Sequence, residues 1–293
     1  MSPRILVLTL ALLLPFSAET ALGANAQPKR ALLIAGRPSH APGDHEHNAG
    51  VLLLQQCLRD IPNLVVDVSL NGFPADLGLV DRTDTILIYA DGGDAHPALE
   101  PKNFAALQRA MQRHAGLVLL HYATEPTIEN GETEFLAWVG GAFEINWSVN
   151  PHWTANFNAL PDHPVTRGVA PFSLLDEWYF HLRFASGVTP LLAAVPPLST
   201  MQRRDGPHSG NPHVRAAVAR GEPQTVAWTF ERPDGGRGFG LTGGHFHRNW
   251  GQRDFRTLVL NAILWTAQMD VPADGVASVV TAEDLARNLD PKP

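Results

Sequence analysis

Histidine is the residue type in this chain best suited to chemistry. Thirteen histidines accompany a single cysteine, Cys57. Two of them, His245 and His247, lie one residue apart, just after the glycine pair Gly243–Gly244 that ends an apolar run. Imidazole can act as a general acid, a general base or a metal ligand. The sequence therefore predicts chemistry built mainly from imidazole, carboxylate and hydroxyl groups.

Other polar side chains also follow short apolar runs, each at the point where the run ends. If the runs are parallel strands, their carboxyl ends meet at one edge of a sheet, where ligands bind in open α/β folds. We therefore expect one polar pocket formed by side chains from distant parts of the sequence. The residues that follow the runs in this way are His40, His45, His47, Asp91, His121, Glu125, His245 and His247.

The elements that must position these residues alternate between strand and helix. Apolar runs predict strands at 31–35, 64–68, 85–90, 117–120, 225–230 and 239–242. Helical periodicity predicts helices at 48–60, from Pro101 onward, and around Phe255–Ile263. Strand–helix alternation with short connections is typical of a mostly parallel sheet covered on both faces.

The segment from about 146 to 220 breaks this alternation and reads as an insertion rich in loops and strands. Residues 176–184 alternate, with Glu177, Tyr179, His181 and Arg183 on one face, which predicts a half-buried strand. The glycine- and proline-rich stretch 203–215 is expected to be an irregular surface loop.

Several of the polar residues also have simpler interpretations. A His-x-His pair on a strand sends its two rings to opposite faces, so His245 and His247 can share a metal only if Gly243–Gly244 turns the chain. Asp44 is suited to cap the helix that follows it. Asp91 and Glu125 are typical turn residues, and Glu177 could face solvent. Cys57 lies among leucines and is interpreted as a buried helix residue.

The histidine excess favours one divalent metal ion, zinc, manganese or iron, over magnesium, which prefers oxygen ligands. The predicted metal ligands are His45, His47, His245 and His247. The alternative is acid–base chemistry by imidazole and carboxylate without a metal, and the two interpretations stay open at this point.

Bulk properties limit location and partners. Arg4, the apolar stretch 5–16 and Ala24-Asn25-Ala26 match a secretory signal cleaved after Ala26, so we expect a soluble protein that is periplasmic or secreted. Nothing later approaches the roughly 20 apolar residues of a membrane span, so no stable membrane insertion is expected.

The net charge of −7, with no basic stripe, disfavours nucleic acid as a partner. A neutral or weakly charged small molecule is the favoured ligand, no nucleotide cofactor is expected, and the oligomeric state stays unknown.

Five motifs in order resemble the ThuA-like, or trehalose-utilisation, family over roughly residues 30–276. They are Ile34–His47, Gly116–Glu125 with His121-Tyr122, His163–Gly168, Asp176–Tyr179 and Gly243–Gly251. The resemblance implies a single domain over 27–293 with a flavodoxin-like, doubly wound, mostly parallel sheet, related to class I glutamine amidotransferases. Those enzymes carry a cysteine nucleophile after a central strand, where this chain has His121. If that correspondence holds, glutamine hydrolysis through a cysteine is excluded.

The resemblance further implies a carbohydrate ligand: a disaccharide, a glycoside or a keto-sugar derivative. For such a substrate we expect a hydrolase, lyase or isomerase in which His121 and His245 act as acid, base or ligand, with Glu125 or Glu177 as the partner carboxylate. A non-catalytic sugar-binding or accessory protein on the same fold is the alternative. Trp153 is a further candidate surface for a sugar ring, and the predicted substrate-binding residues are His40, Asp91, Tyr122, Trp147, Tyr179 and Trp250.

Overall fold

A computed structural model describes residues 27–127 and 129–292, so the predicted signal segment 1–26 lies outside the described residues. The described chain forms eleven strands and six α-helices. The strands are β1 Lys29–Ala35, β2 Leu64–Ser69, β3 Thr85–Tyr89, β4 Gly116–Leu120, β5 Gly141–Ala142, β6 His152–Phe157, β7 Phe172–Glu177, β8 Arg183–Phe184, β9 Val188–Ala194, β10 Gln224–Glu231 and β11 Arg237–Leu241. The helices are α1 His47–Leu58, α2 Pro101–Gln112, α3 Glu132–Trp138, α4 Pro212–Ala219, α5 Arg253–Thr266 and α6 Ala282–Leu285.

A seven-stranded sheet in the order β2-β1-β3-β4-β11-β10-β9 forms the centre of the protein. Strands β2, β1, β3, β4 and β11 are parallel, whereas β10 is antiparallel to both of its neighbours. The five parallel strands have the flavodoxin-like order, in which the chain reverses its direction of travel across the sheet between β1 and β3. The predicted α/β class and mostly parallel sheet are confirmed, with the six predicted central strands within two residues of their observed bounds.

Both faces of the sheet are covered because its strands are apolar on both sides. Leu33 of β1 belongs to the core formed with Leu54 of α1 and Leu258 of α5, whereas its neighbour Leu32 belongs to the core formed with Leu107 of α2. Side chains alternate across a strand, so a strand buried on both faces reads as a continuous apolar run. This arrangement leaves the edge at the carboxyl ends of the strands as the place where loops gather.

The predicted strand at 176–184 is wrong in its extent. β7 ends at Glu177, and β8 resumes only at Arg183. His181 has a φ of 60°, a left-handed conformation that cannot continue a strand. Phe180 instead pairs with Val149 through two backbone hydrogen bonds of 3.0 and 3.1 Å. The alternation of residue types therefore reflects burial of several side chains around a bend.

The expected irregular loop at 203–215 is also only partly correct, because its last residues begin α4. The side chain of Asn211 caps this helix by accepting hydrogen bonds from the backbone N–H groups of His213 and Val214, and Pro212 occupies the first turn. β9, which lies within the segment interpreted as an insertion, forms the outer edge of the central sheet. Among the described residues, no helix is long and apolar enough to cross a bilayer.

Candidate functional site

The loops after β1, β3, β4 and β11 meet at the carboxyl edge of the sheet. They bring together His45, Asp91, His121 and His245, which are separated by up to 200 positions along the chain. β7, in a separate two-stranded sheet with β6, adds Glu177 at its end. The expected convergence of polar side chains at one edge is therefore present in the structure.

Backbone pairing holds the loop after β1 against the loop after β11. The N–H of His45 donates to the carbonyl of His245 at 2.9 Å, and the N–H of His247 donates to the carbonyl of Gly43 at 2.9 Å. Gly244, with a φ of +124°, turns the chain away from the direction of β11 just before this pairing. A glycine favours this turn because other residues rarely adopt that conformation. His245 is thereby directed toward His45.

His121 occupies a strained turn immediately after β4, at the start of a short 3₁₀ helix, His121–Thr124. Its φ is 55°, which is unfavourable for a residue with a side chain, and such strain is concentrated at functional sites. Its Nδ1 lies 2.8 Å from the carbonyl oxygen of Thr242, which can only accept. The ring therefore carries its proton on Nδ1, and Nε2 presents a lone pair. Burial lowers the pKa of His121 well below its usual value.

His45 is oriented in the same way by a carboxylate. Its Nδ1 donates to Asp91 at 2.7 Å, so its Nε2 also presents a lone pair. Burial lowers the pKa of His45 to about 3, against the opposing effect of Asp91. The pKa of Asp91 is in turn lowered, because its hydrogen bond to His45 and other favourable contacts outweigh its partial burial. The ring of His40 stacks on His45 with 3.6 Å between centroids.

His245 and Glu177 form a close pair, with Nδ1 and Oε2 3.2 Å apart. Burial opposes charge on both groups. The hydrogen bond and the charge of the partner outweigh that effect, so that the pKa of His245 is raised and that of Glu177 is lowered. Asp44, which was considered a helix cap, makes no cap: α1 follows Glu46, and Asp44 instead lies 3.5 Å from Nε2 of His245.

Four donor atoms from these residues lie within 4.8 Å of one another. Nε2 of His45 lies 3.1 Å from Nε2 of His121 and 3.0 Å from Nδ1 of His245. Oε2 of Glu177 lies 3.5 Å from His121 and 3.2 Å from His245. Ligands on a tetrahedron about 2.05 Å from a zinc ion would be about 3.4 Å apart. The spacing therefore fits the ligand set of a first-row transition metal.

Tyr179 and a second group of donors flank this set. The Tyr179 hydroxyl lies 3.3 Å from both His121 and Glu177, and the tyrosine is buried. His40, His45 and Asp91 also have donor atoms within 4.8 Å of one another. That second group shares His45 with the first.

Glu125 lies outside the four-residue set and pairs with His208, a residue that sequence analysis did not identify. Nε2 of His208 is 2.9 and 3.1 Å from the two carboxylate oxygens. Burial raises the pKa of Glu125, and hydrogen bonding to that carboxylate raises the pKa of His208. Phe143 stacks on His208 and contacts Tyr179, which links the pair to the four-residue set.

His152 was missed as well, and its Nε2 lies 3.8 Å from Glu177. His152 and His208 belong to the segment of about 146–220, whose irregular pattern gave no periodic signal for these two residues. Only their residue type and the turn residues Gly206 and Gly210 around His208 offered a sequence signal.

The other two predicted metal ligands, His47 and His247, lie outside the four-residue donor set. Nε2 of His47 is 3.7 Å from Asp91, and His47 is not one of the four donor residues. His247 is buried, which lowers its pKa, and the charges that oppose this effect are those of Glu46 and Asp290. The structure therefore brings His45 and His245 into one donor set and leaves His247 outside it.

The predicted sugar-binding aromatic residues differ in accessibility. Trp250 is fully buried against Tyr89 and Phe255, and Trp153 is almost fully buried, so neither offers a surface to a ligand. Trp147 is partly exposed, but Arg183 lies 3.7 Å over its ring. Tyr122 is partly exposed, and burial raises its pKa.

Comparison with known proteins identifies the family. The model of the ThuA family, described as trehalose utilisation, matches residues 31–266, a range that contains the four-residue donor set. The chain belongs to the ThuA family. Its fold is similar to the crystal structure of a ThuA-like protein from Bacteroides uniformis ATCC 8492, with a TM-score of 0.56 and 18% identity over 86% of this chain and 96% of that chain. No curated protein matches this member of the ThuA family.

The site depends on Asp176, a fully buried carboxylate that anchors the loop after β11. It accepts hydrogen bonds from the N–H groups of Gly244 and His245, both at 3.0 Å, and from the Asn249 amide at 2.7 Å.

We expect Asp176→Asn to lower the free energy of unfolding by about 2 kcal/mol, because the new NH₂ group faces buried donors. Urea denaturation measures this loss. The exposed Asp162→Asn is the control, and equal stability of the two variants would contradict the anchoring role.

Proposed function

We propose that this protein is an exported carbohydrate-processing enzyme whose centre is one divalent metal ion bound by His45, His121, Glu177 and His245. The observation that carries the proposal is the convergence of four donor atoms, one from each residue, within 4.8 Å of one another. The substrate class is a disaccharide, a glycoside or a keto-sugar derivative. The family description, trehalose utilisation, supports a carbohydrate, and the signal pattern in residues 1–26 supports export.

A cation is favoured because two lone pairs face each other in a buried site. Both Nε2 atoms, of His45 and His121, lack a proton when the rings are neutral, and they lie 3.1 Å apart. A proton between them would relieve the repulsion, but burial lowers the pKa of both rings. A metal ion satisfies both lone pairs at once, and the negative charge of Glu177 compensates part of its charge.

The residues around the four ligands resemble the outer partners of metal-bound histidines. Such histidines usually donate their second N–H to a carboxylate or a carbonyl, which fixes the ring. Asp91 has this relation to His45, and the Thr242 carbonyl has it to His121. Asp44 is placed for the same role toward His245. Three nitrogens and one oxygen favour zinc, manganese or iron over magnesium.

The proposed chemistry divides between this centre and the Glu125–His208 pair. A bound metal ion would polarise a substrate carbonyl or lower the pKa of a bound water molecule. Glu125 is not one of the four ligands, and its raised pKa suits a group that accepts and returns a proton during the reaction. His208 holds that carboxylate in place and stabilises its charged form. The buried Tyr179 hydroxyl can hold the Glu177 carboxylate in place.

A polar cavity beside the site provides room for a sugar. Its volume is about 490 Å³, within the range of small-molecule sites. Its lining includes Asp91, the hydrogen-bond partner of His45, and the hydrogen-bonding side chains of Asn71, Glu100 and Asn103. These groups match the hydroxyls of a saccharide in chemistry, which supports a carbohydrate ligand.

Elemental analysis tests the metal centre. Untagged protein from the periplasmic or the extracellular fraction, with an N-terminus at Gln27, should contain about one equivalent of zinc, manganese or iron. Glu177→Gln and His245→Ala should lose most of it, because each removes one of the four ligands. His114→Ala, which changes an exposed histidine, is the control and should keep it. Metal-free wild-type protein would refute the metal centre, and an N-terminus at Met1 would refute export.

Kinetics of Glu125→Gln separate an enzyme from a sugar-binding protein. For a disaccharide or a keto-glycoside that the wild type converts, we expect kcat to fall about 10²- to 10⁴-fold with metal content unchanged. The substitution keeps the size of the side chain and removes its basicity. Unchanged kcat would exclude Glu125 as the acid–base group. Binding of such sugars without any conversion by the wild type would instead support the sugar-binding alternative.

A further inference from the structure

The C-terminal segment, residues 276–292, returns to the edge of the sheet that carries the site. Its short helix α6 contacts α1 and the 3₁₀ turn His247–Gly251. The Thr281 hydroxyl caps α6 by accepting from the N–H of Asp284, and the amide of Gln56 on α1 donates to the Asp284 carboxylate. The segment therefore follows a defined path toward the loop after β1.

The side chain of Lys292 ends inside the loop after β1. Its side chain is only 4% exposed, and its ammonium group donates to three carbonyl oxygens: Asp44 at 2.7 Å, Ser39 at 2.8 Å and His45 at 3.1 Å. An ammonium group has three N–H donors, so all three are used. The carboxylate of Glu46 lies 3.7 Å away and provides a compensating charge.

The three carbonyl groups belong to a loop that needs such a cation. Their oxygens point at one position and repel one another unless a positive charge lies between them. The same loop contains two residues with side chains in a left-handed conformation, His40 at φ 59° and His45 at φ 47°. That conformation is uncommon for residues other than glycine and persists only where surrounding contacts enforce it.

A second contact joins the same two segments. The Glu46 carboxylate accepts from the N–H of Gly43 at 2.8 Å, within the loop, and from the N–H of Asp290 at 2.6 Å, within the C-terminal segment. Asp290 in turn accepts from the side-chain amide of Asn48 at 2.6 Å, near the start of α1. Glu46 therefore joins the loop that carries His45 to the C-terminal segment, in addition to the contacts that Lys292 makes with that loop.

We propose that Lys292 is a positioning residue for His45. By gathering the carbonyl groups of residues 39, 44 and 45, its ammonium group holds the loop in the conformation that directs Nε2 of His45 toward His121 and His245. Lys292 touches none of the four donor atoms itself. Its effect on metal affinity rests on the proposed function, whereas its effect on the loop does not.

Two measurements on Lys292→Met test this role. The first is amide hydrogen exchange of residues 39–46 in metal-free protein, which should become at least about tenfold faster because the carbonyl groups lose their common cation. The second is cobalt affinity with its visible spectrum, where we expect about tenfold weaker binding, as for other partners of metal ligands, and a changed spectrum. A merely structural loss of stability would leave the cobalt spectrum as it is in the wild type.

Lys29→Met is the matched control, because Lys29 is a partly exposed lysine paired with Asp84 at the opposite end of β1. It should leave both measurements unchanged. Lys292→Gln keeps a polar donor and should give an intermediate exchange rate. This variant provides the test if Lys292→Met fails to fold. Wild-type exchange of residues 39–46 in the variants would overturn the positioning role, as would unchanged cobalt affinity and spectrum. If the wild type binds no cobalt, the metal centre fails while the exchange data still decide the role of Lys292.

Discussion

The candidate site depends on two buried imidazole nitrogens that face each other with their lone pairs. Nε2 of His45 and Nε2 of His121 are 3.1 Å apart, and each ring has its proton fixed on the far side, by Asp91 and by the Thr242 carbonyl. Neither ring can turn without breaking a buried hydrogen bond, which is costly. The surrounding structure therefore keeps two nitrogen lone pairs close together, and a cation bound between them would satisfy both.

The fold maintains this arrangement through rigid strands and strained connections. β1, β4 and β11 fix where the loops begin, and the parallel order places those beginnings at one edge. His45 and His121 then adopt left-handed backbone conformations that a free loop would avoid. Buried contacts offset that strain. The loop after β11 is anchored separately by Asp176, which accepts hydrogen bonds from the N–H groups of Gly244 and His245. The precision of the site comes from these supports, which lie mostly outside the donor set.

Sequence analysis predicted the sheet and the convergence of histidines because both depend on local pattern. Runs such as Leu117–Leu120 identify strands, and parallel strands place His121 and His245 at the same edge. It could not choose between His47, His121 and His247 as neighbours of His45, because that choice depends on side-chain direction in irregular loops. His208 was missed because its contact with Glu125 spans 83 residues and has no periodic signal. The bend at His181 was missed for a similar reason, because residues buried on both sides of a bend alternate in type as they do along a strand.

The most direct test of the central claim is the position of a metal in crystals of the mature protein. X-ray data collected on both sides of the zinc, manganese and iron absorption edges would locate the ion and identify it. The account predicts one anomalous peak about 2.0–2.2 Å from the donor atoms of His45, His121, Glu177 and His245. The absence of a peak at that point, or a single peak bound by His40, His45 and Asp91 instead, would contradict it.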